Sequence, residues 1–400
     1  MVACSPIGVQ FQSREDHMSR FVTWTLGAAM MVAASAATAE PAPTPSERKL
    51  VELLVQPESW FIEQLGGKRV VVDGQTLDPK IQYMLARDAT APKPSGPAVD
   101  PAATPEGRAA LREGADRSWT YRTRVTAPMA ETIDREVKGR GGPIPVRVYK
   151  PAGSVGALPV LVYFHGGGWM TGSIAGSDRA VRLMANEAKA IIVSVQYRLA
   201  PENPYPAAWD DAEDAFTWAR ANAASFGGDP AMMAVGGDSA GGNLAIAVSS
   251  RRLAAGQTPP LYQLLYYPAV DMGRDYPSWT LFGQGFGLDV GYADYAVPRV
   301  FGTRDLAQPE ISPIKAKSLK GMPATILSTA GFDILRDAGR AYARRLESEG
   351  VSVLYLNFPS LNHSFLQASG VIADADRAAT DTARIFGAAI RSRAGPDTAN

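Results

Sequence analysis

The chain has 400 residues, a length that suits one large domain with a cap better than two independent domains. Its 40 basic and 40 acidic side chains cancel, and no Lys/Arg tract stands out, so neither nucleic acid nor an anionic membrane surface is an expected partner. One cysteine and three histidines cannot build a metal-ligand cluster, and neither a metal nor an organic cofactor is expected.

The first segment reads as a leader. Met18-Ser19-Arg20 is a short positive start, Phe21 to about Ala34 is apolar, and Ala37-Thr38-Ala39 is a small-x-small cleavage pattern ahead of Glu40-Pro41. That is the pattern of a secretory signal peptide. Residues 1–39 are therefore expected to be removed on export, leaving the chain periplasmic or extracellular, without stable membrane insertion. Cys4 and His17 would go with the leader. The apolar stretch is short for a permanent span, although a retained anchor helix is the alternative. Glu15 and Asp16 do not suit such a leader, so Met18 is the expected start.

Residues 40–130 read as a helical region that resembles a cap in placement. Apolar residues at helical spacing run from Lys49 to about Leu65, and Leu77-Asp78-Pro79 opens a second helix, Lys80 to Arg87. A Pro-rich linker, Pro92 to Pro105, ends in Thr104-Pro105, an N-cap followed by Pro at the first helical position. That helix is expected to end near Gly114.

From residue 131 to about 395 strands and helices alternate, which predicts an α/β fold with a mainly parallel, doubly wound sheet. Ile144–Tyr149 is a strand that Pro145 places at the sheet edge. Leu158–Phe164 is an apolar strand running into His165-Gly166-Gly167-Gly168-Trp169. Three successive glycines leave backbone N–H groups bare, as an oxyanion hole requires. A helix near Ala180–Lys189, a strand Ala190–Val195 and a helix Trp209–Ala223 follow. Asp210, Asp211, Glu213 and Asp214 at the start of the last helix suit its dipole and read as structural.

Met232–Val235 is the next strand, and it leads through Gly237-Asp238-Ser239-Ala240-Gly241 into a helix at Asn243–Val248. G-x-S-x-G between strand and helix is a nucleophile elbow, a turn so tight that both flanks need Gly. With the glycine loop, it makes Gly166, Gly167 and Ala240 the expected oxyanion donors. After strand Tyr262–Tyr267 comes an insertion at about 271–310, expected to hold helices or a lid. It carries Tyr276, Trp279, Phe282, Phe286, Tyr292, Tyr295 and Phe301. Phe282 and Phe286, with Trp169 opposite, are the expected substrate-pocket aromatics. Core packing is the competing reading for each.

Strand Ala324–Ala330 places Asp333 at its carboxyl end, where open α/β sheets keep their sites. Asp337, about one helical turn later, should point elsewhere; Asp271 and Asp289 are weaker alternatives. Of the three histidines, His17 lies in the leader and His165 in the glycine loop. That leaves His363, after strand Val351–Phe358, as general base for Ser239.

Taken together, HGGGW at 165–169, YRLAPENPYPAAWDDA at 197–212, GDSAGGNLA at 237–245, YYPAVD at 266–271 and GFDILRDAG at 331–339 resemble the hormone-sensitive-lipase-like branch of the α/β-hydrolases, the bacterial family IV esterases. The resemblance runs in family order over roughly residues 130 to 390. It implies an α/β-hydrolase fold with a helical cap, and Ser239, Asp333 and His363 as nucleophile, acid and base. It also implies a small-molecule partner, a short- to medium-chain carboxylic ester. Tyr197, Arg198 and Glu202 match a family motif and read as scaffold. One stretch departs. Where the family has Gly on either side of the last segment, this chain has Ser360-Leu361-Asn362-His363-Ser364-Phe365. The expected chemistry is two-step acyl transfer through an acyl-enzyme. Lactones, carbamates and amides share its tetrahedral intermediate and stay open, as does a non-catalytic ligand binder on the same fold. Nothing in the sequence sets the oligomeric state.

Overall fold

A computed structural model describes residues 42–90 and 100–393. The expected leader, 1–39, lies outside the described residues, as does most of the Pro-rich linker.

The N-terminal region forms α1 (Pro45–Leu54), α2 (Glu58–Gln64), α3 (Pro79–Thr90) and α4 (Pro105–Arg122). The single helix expected over 49–65 is two, because Pro57 caps the second and cannot continue the first. Helix α4 starts as expected, with the Thr104 hydroxyl accepting the Gly107 N–H at 3.1 Å, but it runs past Gly114 to Arg122. Tertiary bonds outweigh the small cost of an interior glycine. Asp116 accepts the Ser173 hydroxyl at 2.6 Å, and Arg112 donates to the carbonyls of Met170 and Ala200 at 3.0 and 3.1 Å.

The main sheet has eight strands: β1 (Glu131–Gly139), β2 (Gly142–Lys150), β3 (Leu158–Phe164), β4 (Ile191–Val195), β5 (Gly228–Asp238), β6 (Tyr262–Tyr266), β7 (Ala324–Phe332) and β8 (Val353–Asn362). Their order across the sheet is β8-β7-β6-β5-β3-β4-β2-β1. Strands β3 to β8 are parallel, while the hairpin β1–β2 joins antiparallel. Every residue of β3 and of β7 is buried. Successive side chains point to opposite faces, so both faces of the sheet are covered, as expected for a doubly wound fold.

One strand sits differently from expectation. β2 is second from the edge, and β1 is the edge strand. Pro145 falls just outside the ladder to β4, whose first pair is Val146 with Val195, so the lacking N–H breaks no bond there.

Helices α5 (Ile174–Ala188), α6 (Ala207–Asn222), α7 (Ala240–Ala254), α10 (Arg336–Ser348) and α11 (Ala373–Arg393) cover the sheet. The insertion holds α8 (Pro277–Phe282) and α9 (Val290–Phe301). Among the described residues no helix is long and apolar enough to cross a membrane.

Candidate active site

Four parallel strands each deliver a site residue at the next position. Phe164 ends β3 and His165 follows; Asp238 ends β5 and Ser239 follows; Phe332 ends β7 and Asp333 follows; Asn362 ends β8 and His363 follows. The sheet thus gathers residues up to 198 positions apart (363 − 165) at one edge, the carboxyl ends of its strands.

Ser239 has φ 55° and ψ −118°, a conformation that costs a non-glycine residue about 1–3 kcal/mol. Bonds on each side hold it. Its N–H donates to Tyr266 O at 2.9 Å, and its carbonyl accepts from Ala269 N at 3.1 Å. Flanking side chains have no room. A Cβ on Gly237 would lie 2.5 Å from Phe164 O, and one on Gly241 would collide with the same carbonyl.

His363 bridges the other two. Its Nε2 lies 2.9 Å from Ser239 Oγ and its Nδ1 2.6 Å from Asp333 Oδ2. An ionised carboxylate only accepts, so Nδ1 carries the proton and Nε2 is free to accept from the serine hydroxyl. Asp333 is itself fixed, with Oδ1 accepting Leu335 N–H at 2.9 Å. It is 1% exposed. The other acids are engaged elsewhere. Asp337 accepts Ser278 N–H and ion-pairs with Arg336. Asp271 accepts the Tyr276 hydroxyl, and Asp289 accepts Gly285 N–H.

The backbone around the serine presents a repeated arrangement. In a trans peptide the C=O and the following N–H point in opposite directions. The Gly166 carbonyl is tied to His165 Nδ1 at 2.8 Å, which turns Gly167 N–H the other way. The Gly167 carbonyl accepts Met170 N, Thr171 N and the Thr171 hydroxyl, which does the same for Gly168 N–H. The Ser239 carbonyl is tied to Ala269 N, which leaves Ala240 N–H as an orphan donor at the start of α7. None of these three N–H groups has a hydrogen-bond acceptor among the described residues. Gly167, Gly168, Ser239 and Ala240 all line one cavity of about 500 Å³.

Gly166 needs correcting. Its N–H donates to Asp238 Oδ1 at 2.8 Å, and it does not line the cavity. An N–H committed to a buried carboxylate is not a free donor for an oxyanion. Gly168, which lines the cavity and whose N–H has no acceptor among the described residues, offers a free donor instead, although the three glycines look alike in sequence and only the peptide orientations tell them apart.

His165 is held inside the glycine loop. It is buried, stacks on Tyr197 with ring centres 4.3 Å apart, and has its carbonyl held by the Tyr197 hydroxyl at 2.7 Å. Burial pulls its pKa down to about 4 and keeps the ring neutral. Arg198 pairs with buried Asp211, and Glu202 pairs with Arg108 and Arg112 of α4. These bonds fit a scaffold role.

The pocket aromatics also need correcting. Phe282 is fully buried, 5.4 Å from Phe332 and under the Arg336 guanidinium at 4.9 Å. Phe286 stacks on Phe332 at 5.5 Å. Neither lines the cavity; both rings pack beneath the strand that carries Asp333. Phe286 reaches the site by its carbonyl, which accepts Asn362 Nδ2 at 3.0 Å. Trp169 does line the cavity, with its ring stacked on Trp209 at 5.4 Å. The aromatics that the insertion supplies to the cavity are Trp279 and Tyr292, and α3 and α4 add apolar walls such as Met84, Leu85 and Trp119.

A protein-family profile described as alpha/beta hydrolase fold matches residues 161–367, just over half the chain. The chain belongs to that family. The match spans both motif loops and the residues of the His363–Asp333 pair, in agreement with the hormone-sensitive-lipase-like motifs. A carboxylic ester hydrolase of Mycobacterium tuberculosis, LipN, is 39% identical over 308 residues, covering 75% of this chain and 80% of that protein. Among solved structures, an ester hydrolase from the metagenome of Lake Arreo has a TM-score of 0.73 at 35% identity, over 79% of this chain and 99% of that one. The esterase of Pyrobaculum calidifontis has a TM-score of 0.70 at 31% identity, over 80% of this chain and 100% of that one.

Proposed function

We propose that this α/β-hydrolase is a serine carboxylesterase that cleaves short- to medium-chain esters through an acyl-enzyme. The enzyme class, a carboxylic ester hydrolase, rests on the family and on relatives that carry that name. The observation that carries the mechanism is His363, set 2.9 Å from Ser239 Oγ and 2.6 Å from Asp333.

Ser239 Oγ attacks the ester carbonyl while His363 Nε2 takes its proton. The oxyanion forms against the N–H groups of Gly167, Gly168 and Ala240. The intermediate collapses, the C–O bond to the alcohol breaks, and His363 returns the proton to the leaving oxygen. Water then repeats the two transfers on the acyl-enzyme and frees the acid. Asp333 holds the imidazole orientation and stabilises the imidazolium that forms. The mostly apolar cavity suits a small ester with an apolar acyl part.

Hydrolysis of p-nitrophenyl esters from acetate to palmitate, by wild type and Ser239→Ala, tests this reading. The expected result is a maximum at short to medium acyl chains and a loss of roughly 10⁴- to 10⁶-fold in kcat in the variant. A maximum at palmitate would reject the chain-length claim. Activity surviving in folded Ser239→Ala would reject the mechanism.

A further inference from the structure

Tyr292 sits on α9, in the insertion rather than in the sheet domain. Its hydroxyl donates to the Gly167 carbonyl at 3.1 Å. The other three donors to that oxygen, Met170 N, Thr171 N and Thr171 Oγ1, belong to the glycine loop itself and move with it. Tyr292 is thus the tie, among the described residues, between this carbonyl and a different element. The contact is close on both sides: a Cβ on Gly168 would lie 2.6 Å from the phenol oxygen. Burial pushes the phenol pKa up, so the group stays a donor through the neutral range.

The Gly167 carbonyl and the Gly168 N–H belong to one peptide plane. A donor on the oxygen does two things to the N–H. It fixes the plane, and so the direction of the N–H. It also polarises the amide, which strengthens the N–H as a donor at the other end. Gly168, which carries that N–H, lines the cavity that holds Ser239, and the N–H has no acceptor among the described residues.

We infer that Tyr292 is a positioning residue for the oxyanion hole: through the Gly167–Gly168 peptide, the insertion sets one of the donors that stabilise the transition state. The inference rests on the reading of Ser239 as nucleophile. It gives the insertion a part in the chemical step besides forming a wall, since seating α9 and completing the hole become one event.

The test is Tyr292→Phe, which keeps the ring and removes the hydroxyl. Steady-state kinetics on the best p-nitrophenyl ester are measured together with inhibition by a phenylboronic acid, whose serine adduct is tetrahedral and anionic. A lost bond of ordinary strength predicts a fall of about 3- to 10-fold in kcat with KM unchanged. Boronate affinity should fall by a similar factor, and the melting temperature should hold. A raised KM with unchanged kcat would make Tyr292 a pocket wall only and overturn the inference. So would unchanged values throughout, or a kcat loss without weaker boronate binding. The wild type separates the two claims: its own lack of turnover would overturn the esterase reading together with this one, whereas an active wild type matched by Tyr292→Phe would overturn this one alone.

Discussion

The Asp238 carboxylate accepts the Gly166 N–H at 2.8 Å and so ties the nucleophile elbow to the glycine loop. Asp238 is the residue before Ser239, and it is 1% exposed. It also accepts the Tyr163 hydroxyl at 2.5 Å and Gln367 Nε2 at 2.8 Å. Gln367 lies four residues after His363. One buried carboxylate therefore joins the loops that carry Ser239, the three glycines and His363.

Removing that carboxylate strands three donors in the interior. Each buried donor without a partner costs about 1–3 kcal/mol, so Asp238→Ala is expected to lose about 3 kcal/mol or more in urea unfolding. It should also lower kcat by at least about tenfold, since the glycine loop loses its register with Ser239. Asp238→Asn keeps an oxygen for Tyr163 and Gly166, and the Gln367 amide can turn over to match it only by giving up the bond its Oε1 accepts from the Tyr267 hydroxyl at 3.0 Å, which leaves the tie to the glycine loop in place. The Asn variant should therefore sit close to wild type in kcat. Equal damage in the two variants would show that charge, not hydrogen-bond acceptance, is what matters.

Ser364 is one of the two places, with Ser360, where the segment around His363 departs from the family motif. It has φ 65° and ψ 31°, in the left-handed region. A side chain there costs about 1 kcal/mol, which a glycine avoids. Glycine also loses more freedom on folding, which offsets part of the gain. Ser364→Gly is therefore expected to stabilise by about 0.5 kcal/mol, with kcat within roughly twofold because the bonds of His363 are untouched. Chemical denaturation of the pair checks it. A less stable variant would mean that the serine side chain contributes more than its backbone strain costs.

His165 makes stability depend on pH. Its pKa is about 4 in the fold against an ordinary 6.5. Between those values the unfolded chain binds a proton that the folded chain refuses. Stability is thus full above about pH 6.5 and is lost as pH falls toward 4, by about 3 kcal/mol in total. His165→Asn keeps a donor for the Gly166 carbonyl but does not titrate. Urea midpoints at pH 7.5 and pH 4.5 should fall further in wild type than in the variant. Parallel falls would remove His165 from the acid response.

Much of the site was legible because its parts are local. The elbow needs Gly237, Ser239 and Gly241 within one turn, so the constraint shows as a short motif. His363 stood out by scarcity, with His17 in the expected leader and His165 in the glycine loop. Phe282 and Phe286 were misread because an aromatic in an insertion has the same composition signal whether it faces a ligand or packs under β7. Gly114 was misread because intrinsic helix propensity is weak, and the bonds from Arg112 and Asp116 that carry α4 onward come from distant parts of the chain.

The sequence by itself determined the order of the residues at the strand ends: Ser239 after one apolar strand, Asp333 after a later one, His363 after the last. Short-range rules suffice for that, because strands, tight turns and the residues that follow them are set by neighbours a few positions away. Only the tertiary structure decided which N–H groups are free. Gly166, Gly167 and Gly168 are identical in sequence. Their roles separate because Asp238, His165 and Tyr292, residues up to 125 positions away (292 − 167), hold particular carbonyl and amide groups and so turn each peptide plane.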